Sequence, residues 1–320
     1  MNGQQAHLGR ISLRILDSKI VFVTGKGGVG KTTIAASLAV RAAEEGKRAL
    51  IVESNGAGRV PKIFGQERRS YTPLSVAPNI QTLSITAKEA IEDYILIKIK
   101  VRALYKLVFQ NRVMEPFMSA VPGLHDLVHL GKIHHLSLEK RRDGSPRWDI
   151  IIFDAPATGH GLTMLESPLS MMKLTIAGPF YQAAKLVHDT FYDSSKTAIV
   201  LTSLCDELVV NETLDLYENL GQHKAHVVGV ILNETPTKPF EPISLWQNVR
   251  PSLDSGASEE SFKGLIKAAD RAVAKFNNKE TAKQRLSQNI PAPCSELPLL
   301  NNRDLSLGDL RVLSSYLEGV

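Results

Sequence analysis

The stretch that decides the fold is Gly25-Lys26-Gly27-Gly28-Val29-Gly30-Lys31-Thr32, which directly follows the apolar run at residues 20–23. An apolar strand, a glycine-rich loop and a helix in this order leave backbone N–H groups pointing at a bound polyphosphate. The spacing matches G-x-x-x-x-G-K-[ST], the pattern of a loop that cradles phosphates. The stretch therefore predicts a phosphate-binding loop between a buried strand and a helix.

Positions along this loop have different expected roles. Lys31 is expected to reach the β- and γ-phosphates, the Thr32 hydroxyl to ligate Mg²⁺, and Thr33 to bond an α-phosphate oxygen. Lys26 is not part of the general pattern, and it suggests that the nucleotide is shared between two subunits. The expected nucleotide contacts on the loop are Gly25, Lys26, Gly27, Gly28, Val29, Gly30, Lys31, Thr32 and Thr33.

A second motif is the apolar run at residues 148–153, which ends in the carboxylate of Asp154. A carboxylate at the end of such a strand can orient a water molecule bound to Mg²⁺. Residues 155–160 are interpreted as a loop, and the Gly159 N–H could sense the γ-phosphate. Thr32 and Asp154 are therefore the expected magnesium residues, the latter through water.

The remaining apolar runs indicate the fold class. They are short, rich in Val and Ile, free of polar alternation and separated by helical segments, which is typical of a parallel sheet covered on both faces. The predicted fold is α/β, with a doubly wound, mainly parallel sheet of the P-loop NTPase type. The predicted strands are residues 20–23, 49–52, 80–84, 149–153, 198–201 and 227–232.

Residues 19–320 are expected to form a single domain, preceded by an N-terminal extension at residues 1–18. Two helical insertions are expected, at about 87–140 and 236–290, the second starting with a proline-punctuated loop at 236–251. The helix predicted at 261–285 has an apolar face and a basic face. The basic face is interpreted as solvated or, alternatively, as a surface for an acidic partner. Its cations recur every four residues: Lys263, Lys267, Arg271, Lys275, Lys279 and Lys283.

Composition limits the remaining classes. The chain has 320 residues, a net charge of +5 and a pI near 9.1, and this surplus alone selects no partner. The two cysteines form no C-x-x-C pair, so we expect neither zinc nor an iron–sulfur cluster. Because no signal peptide or membrane-spanning run is evident, a cytoplasmic protein is expected.

Together, these motifs resemble the arsenite-transport ATPase family, which also contains the targeting factors for tail-anchored membrane proteins. That family belongs to the deviant Walker A group of P-loop ATPases. The resemblance is carried by K-G-G-V-G-K-T-T from Lys26, D-A-P-A-T-G-H at 154–160, V-V-N-E-T at 209–213 and G-V-I-L-N at 229–233. It covers most of the core and is weak in the helical insertions.

The resemblance implies a dimeric ATPase that binds ATP with Mg²⁺ and closes around the nucleotide. Its partner would be a second copy or a paralogous subunit, and no nucleic acid is expected. It also implies that Lys26 reaches the phosphates held by the opposite subunit, adding positive charge as an arginine finger does. Asn233 would read the adenine edge, and Pro298 and Leu299 would pack against the base.

One departure from the family leaves the extent of hydrolysis open. Asn55 stands where relatives carry the aspartate that orients the attacking water, and an amide cannot accept a proton as a carboxylate can. Glu53 lies on the same side of an extended chain and is the hypothetical substitute. The expected catalytic residues are Lys26, Lys31, Glu53 and Asp154. Two alternatives remain: a hydrolysis-deficient ATP-binding regulatory or scaffold subunit paired with a paralogue, and a partition-type ATPase.

A hydrophobic client protein or a membrane is a further possible partner. Methionine adapts to varied apolar surfaces, so methionines in the helical segments are candidates for a client groove, although such stripes are commonly core. The candidate residues are Met114, Phe117, Met118, Met164, Met171 and Met172.

Overall fold

An eight-stranded sheet forms the centre of the protein. The computed structural model describes residues 15–54, 58–67, 69–99, 123–256, 260–302 and 304–318. The strands are Ile20–Gly25 (β1), Ala49–Ser54 (β2), Leu74–Ala77 (β3), Ile80–Ile85 (β4), Ile150–Asp154 (β5), Thr197–Ser203 (β6), Val227–Thr235 (β7) and Cys294–Pro298 (β8). Their order is β3-β4-β2-β5-β1-β6-β7-β8, and only the β3–β4 pair is antiparallel.

Helices cover the sheet on both faces. They are Lys31–Glu44 (α1), Arg59–Ile63 (α2), Ala87–Ile99 (α3), Leu124–Leu138 (α4), Thr158–Thr175 (α5), Pro179–Phe191 (α6), Glu207–Asn219 (α7), Ser244–Gly256 (α8), Glu260–Asn289 (α9) and Leu307–Ser315 (α10). Short 3-10 turns lie at Ile15–Asp17 and Gly221–His226. The α/β fold with a mainly parallel sheet is therefore confirmed.

The uninterrupted apolar runs of the strands follow from this double cover. Successive side chains of a strand point to opposite faces, so both faces must be apolar when both are buried. In β5, Ile150 and Ile152 pack with α1 and α10 on one side. Ile151 and Phe153 pack on the other side with α4, α5, α6 and α7. Each face of the sheet therefore carries its own apolar core.

Two edge strands, β3 and β8, were not predicted. Most residues of both are only partly buried, and in β8 only Leu297 is fully buried. Edge strands with at most one fully buried side chain lack the continuous apolar run that reveals a central strand. Residues 15–17, assigned to the N-terminal extension, also differ from expectation, because Ile15 and Leu16 pack into the core.

The predicted loops differ from the structure at two places. Residues 244–256 form α8 instead of a loop, with Pro251 inside the helix. Proline removes one backbone hydrogen bond, and Trp246 and Arg250 of α8 donate side-chain hydrogen bonds to Asp270 of α9. The loop after Asp154 is shorter than predicted because α5 begins at Thr158, which places Gly159 in its first turn. Among the described helices, none is both long and apolar enough to cross a membrane.

Candidate functional site

The glycine-rich loop joins β1 to α1 and depends on glycine at defined positions. Gly28 and Gly30 have φ angles of 86° and 85°, a left-handed conformation that side chains disfavour. A Cβ atom at Gly30 would lie 2.1 Å from Nδ2 of Asn233. The loop is thus shaped by backbone conformation and by the close approach of β7. The first N–H groups of α1 follow it, and they lack intrahelical partners as at any helix start.

Lys31 is folded back over this loop. Its ammonium donates hydrogen bonds to the backbone carbonyls of Gly25, at 3.1 Å, and Lys26, at 2.8 Å. Burial lowers the pKa of Lys31, while nearby Asp154 raises it and Arg59 lowers it further. The lysine charge is therefore held among neutral carbonyls at the centre of the loop, within reach of an anion placed there.

Asp154 lies directly beneath the start of α1. Its carboxylate accepts a 2.6 Å hydrogen bond from the Thr32 hydroxyl. Parallel pairing places Asp154 beside Val23 of β1 and Glu53 of β2, so the carboxyl ends of three strands meet here. Burial raises the pKa of Asp154 to about 6, Thr32 opposes this shift, and the nearby Glu53 carboxylate adds to it. A carboxylate in this setting gains from a bound cation.

Glu53 is held at both oxygens. It is 3% exposed, its Oε1 accepts the backbone N–H of Arg59 at 2.8 Å, and its Oε2 accepts the Ser84 hydroxyl at 2.9 Å. Arg59 is the first residue of α2. Glu53 therefore fixes the start of that helix as well as facing Asp154. Asn55, which occupies the expected position of the family aspartate, lies outside the described residues.

Lys26 forms an ion pair with Glu212 of α7, with 2.7 Å between Nζ and Oε1. Both side chains are about a third exposed, at 34% and 36%. The other oxygen of Glu212, Oε2, is buried and has no hydrogen-bond partner among the described residues. The lysine expected to act on the opposite subunit is thus held within its own chain, by a residue that sequence reasoning did not select. In the sequence, Glu212 was marked only by its place in the V-V-N-E-T motif at 209–213.

The residues expected around the adenine base belong to β7 and to the end of β8. Asn233 is buried at the end of β7, and its side-chain amide donates to the Val29 carbonyl at 3.0 Å. Pro298 ends β8, and Leu299, half exposed, donates its N–H to the Thr235 carbonyl. The structure therefore brings Asn233 to the glycine-rich loop, and places Pro298 at the end of the neighbouring strand with Leu299 directly after it.

The methionines expected at a client groove divide into two groups. Met164 and Met171 are buried in the core beneath α5, and Met172 packs partly against it. Met114, Phe117 and Met118 lie outside the described residues. A different apolar surface, which sequence reasoning missed, is exposed at the α5–α6 connection, where Leu174, Ile176 and Phe180 project from the protein.

Comparisons with known proteins bear on this arrangement. The family of anion-transporting ATPases matches residues 18–177, half of the chain. ATPase BagA of Mycobacterium tuberculosis is 28% identical over 334 aligned positions, covering 95% of this chain and 94% of that protein.

Two further relatives align over a smaller share of the two chains. The arsenical pump-driving ATPase of Acidiphilium multivorum is 25% identical over 91% of this chain and 53% of its own length. ATPase GET3 of Malassezia globosa is 25% identical over 69% of this chain and 74% of that protein. The matched half contains the glycine-rich loop, Glu53 and Asp154. This chain belongs to the anion-transporting ATPase family.

Proposed function

We propose that residues 19–320 form one ATPase domain that binds ATP with Mg²⁺ at the glycine-rich loop and hydrolyses it. The observation that carries this proposal is the Thr32–Asp154 hydrogen bond directly beside Lys31. A hydroxyl and a buried carboxylate are the hard oxygen groups that Mg²⁺ prefers, so these residues fit the ion. When bound, Mg²⁺ would offset charge on the β- and γ-phosphates.

The other residues of the site would each contact a different part of the nucleotide. Lys31 would exchange the carbonyls of Gly25 and Lys26 for phosphate oxygens, which bind an ammonium more strongly. Asn233, already bonded to Val29, would hold the loop and present its remaining amide atoms to the adenine edge. Pro298 and Leu299 would supply an apolar surface for the base, and Gly159 an N–H for the γ-phosphate.

We further propose that ATP closes a dimer of two copies, or of this chain and a paralogue, with Lys26 acting across the interface. The Lys26–Glu212 ion pair supports this as a resting arrangement. A pair this exposed contributes at most about 1 kcal/mol, so a triphosphate can displace it. Closure would then move the helices that follow the site. The exposed apolar residues Leu174, Ile176 and Phe180 favour a hydrophobic client or a membrane as partner, in the cytoplasm.

The alternative is an ATP-binding subunit without turnover. It is favoured by Glu53, because both of its oxygens are already engaged and it could orient water only by releasing Arg59 or Ser84. Phosphate release from ATP with Mg²⁺, combined with sizing with and without a non-hydrolysable ATP analogue, separates the two functions. Turnover together with an analogue-dependent doubling of mass is expected, and analogue binding without either result would overturn the proposed ATPase.

Substituting Glu53 with glutamine is expected to lower ATP turnover by about a hundredfold, the usual range for a lost general base. Glutamine keeps an oxygen for the Arg59 N–H, so ATP binding should be unchanged. Steady-state phosphate release and ATP-analogue titration measure the two effects. The matched control is Glu218→Gln, which removes an exposed carboxylate that pairs with Lys224 at the surface. If Glu53→Gln hydrolysed ATP as fast as the wild type, Glu53 would have no part in orienting water.

A further inference from the structure

Arg59, the first residue of α2, is a cation beside the proposed nucleotide site. Its side chain is exposed, and its guanidinium forms no hydrogen bond or ion pair with the described residues. The two lysines of the glycine-rich loop are engaged instead, Lys26 by Glu212 and Lys31 by backbone carbonyls. Arg59 therefore presents a positive charge that is available to a ligand.

The backbone around Arg59 is fixed at two points. The Arg59 N–H donates to Oε1 of Glu53 at 2.8 Å, and the next residue, Val60, is fully buried in the core. Parallel pairing of β2 with β5 places Glu53 directly beside Asp154. The start of α2 is therefore held one carboxylate away from the expected magnesium residue, and the exposed side chain of Arg59 extends from this fixed point.

The strand order indicates which part of a nucleotide Arg59 would meet. Relative to β1, which leads into the glycine-rich loop, β6, β7 and β8 lie on one side and β5 and β2 on the other. Asn233 and Pro298, the residues proposed for the base, belong to the first side. Asp154 and Glu53 lie at the ends of β5 and β2, on the second side. A nucleotide with its phosphates in the loop would therefore point its terminal phosphate toward β5 and β2, and α2 directly follows β2 in the chain.

The charge of Arg59 acts on two groups that flank the expected phosphate position. Burial lowers the pKa of Lys31, Asp154 opposes this shift, and the Arg59 charge lowers the pKa further. Burial raises the pKa of Asp154 to about 6, while Thr32, Lys31 and Arg59 oppose that rise. Because Coulomb interactions weaken with distance, the guanidinium lies near both groups. Lys31 and Arg59 therefore repel each other, and an anion bound between them would relieve this repulsion.

We propose that the Arg59 guanidinium binds the terminal phosphate of ATP held by its own subunit and makes the site prefer ATP to ADP. This inference rests on the proposed function. The planar guanidinium can donate two parallel hydrogen bonds to phosphate oxygens, a geometry that suits arginine better than lysine. ADP lacks this phosphate, so Arg59 contributes little to ADP binding. Arg59 differs from Lys26 because its contact is made within one chain and before the reaction starts, so its loss lowers the affinity for ATP.

The test compares the affinities of the full chain for ADP and for AMP-PNP, a non-hydrolysable ATP analogue, each with Mg²⁺ and measured by calorimetric titration. The variants are Arg59→Ala, which removes the guanidinium, and Arg59→Lys, which keeps a charge without the planar fork. Both keep the backbone N–H that Glu53 accepts. The matched control is Lys62→Ala, because Lys62 is an exposed cation of the same helix. Thermal unfolding without nucleotide reports whether each variant is folded.

Arg59→Ala is expected to weaken AMP-PNP binding by at least about tenfold and ADP binding by less than about twofold. The affinity of Arg59→Lys for AMP-PNP should lie between those of Arg59→Ala and the wild type, and Lys62→Ala should bind both nucleotides as the wild type does. The unfolding temperature should not change, since the replaced side chain is exposed. If Arg59→Ala weakened both nucleotides equally, or neither, this inference alone would be overturned. A wild type that bound neither nucleotide would contradict the proposed function, and this inference with it.

Discussion

Replacing Lys26 with alanine should lower the rate of ATP hydrolysis by roughly 10³-fold and leave ATP affinity nearly unchanged, as for other cations that act on the transition state in trans. The side chain of Lys26 is paired with Glu212 in this structure, and the hydrogen bond that Lys31 makes to Lys26 uses the backbone carbonyl, which alanine keeps. An interaction made only as charge develops lowers the rate without lowering affinity. Phosphate release at saturating ATP and analogue titration measure the two quantities.

Two controls sharpen this result. Lys31→Ala should lose ATP binding as well as turnover, whereas Lys173→Ala removes an exposed lysine of α5 and should change neither. Mixing the Lys26→Ala and Lys31→Ala proteins should restore part of the activity, because hybrid dimers contain one site with both lysines. Unchanged turnover in Lys26→Ala, or reduced turnover with no recovery on mixing, would contradict a lysine that acts between copies of this chain.

The parts of the site that sequence could predict are those governed by local rules. Glycine spacing places the loop, and the meeting of parallel strand ends brings Asp154 to Thr32 across a separation of 122 residues. The Lys26–Glu212 pair follows no such rule, since it depends on how α7 is rotated against the sheet. The bonds of Glu53 likewise depend on where α2 begins and on the pairing of Ser84 with β2.

The fold likewise has parts that the sequence predicts and parts that it does not. Central strands were predicted because burial on both faces demands continuous apolar residues, whereas β3 and β8 lack that signature. Missing β8 also concealed Glu296, which pairs with Lys279 and Lys283 at the end of the basic row on α9. Leu265 of α9 is 68% exposed, and this exposure was hidden for a related reason. An apolar helical face predicts packing, but it does not indicate whether the packing partner belongs to the same chain.

Asp154→Asn should raise the free energy of unfolding of the ligand-free protein at pH 8, by at most about 3 kcal/mol, while lowering magnesium-dependent ATP turnover by at least about a hundredfold. Burial raises the pKa of Asp154 from 3.8 to about 6. The folded state then binds more protons than the unfolded state between these values. The contribution of the Asp154 carboxyl to the free energy of unfolding of the wild type therefore falls as the pH rises from about 4 to about 6. It stays lower above that range. Asparagine carries no charge to bury and keeps an oxygen for Thr32.

Urea unfolding across pH 4 to 8 measures the stability effect, which should grow with pH and then level off. Added Mg²⁺ and ATP should stabilise the wild type and have a much smaller effect on the variant. The matched control is Asp189→Asn, because Lys185 lowers the pKa of that exposed carboxyl and the same change should not stabilise the protein. If Asp154→Asn were less stable than the wild type at pH 8, the buried charge would not be a cost. Retained magnesium-dependent turnover would remove Asp154 from the metal site.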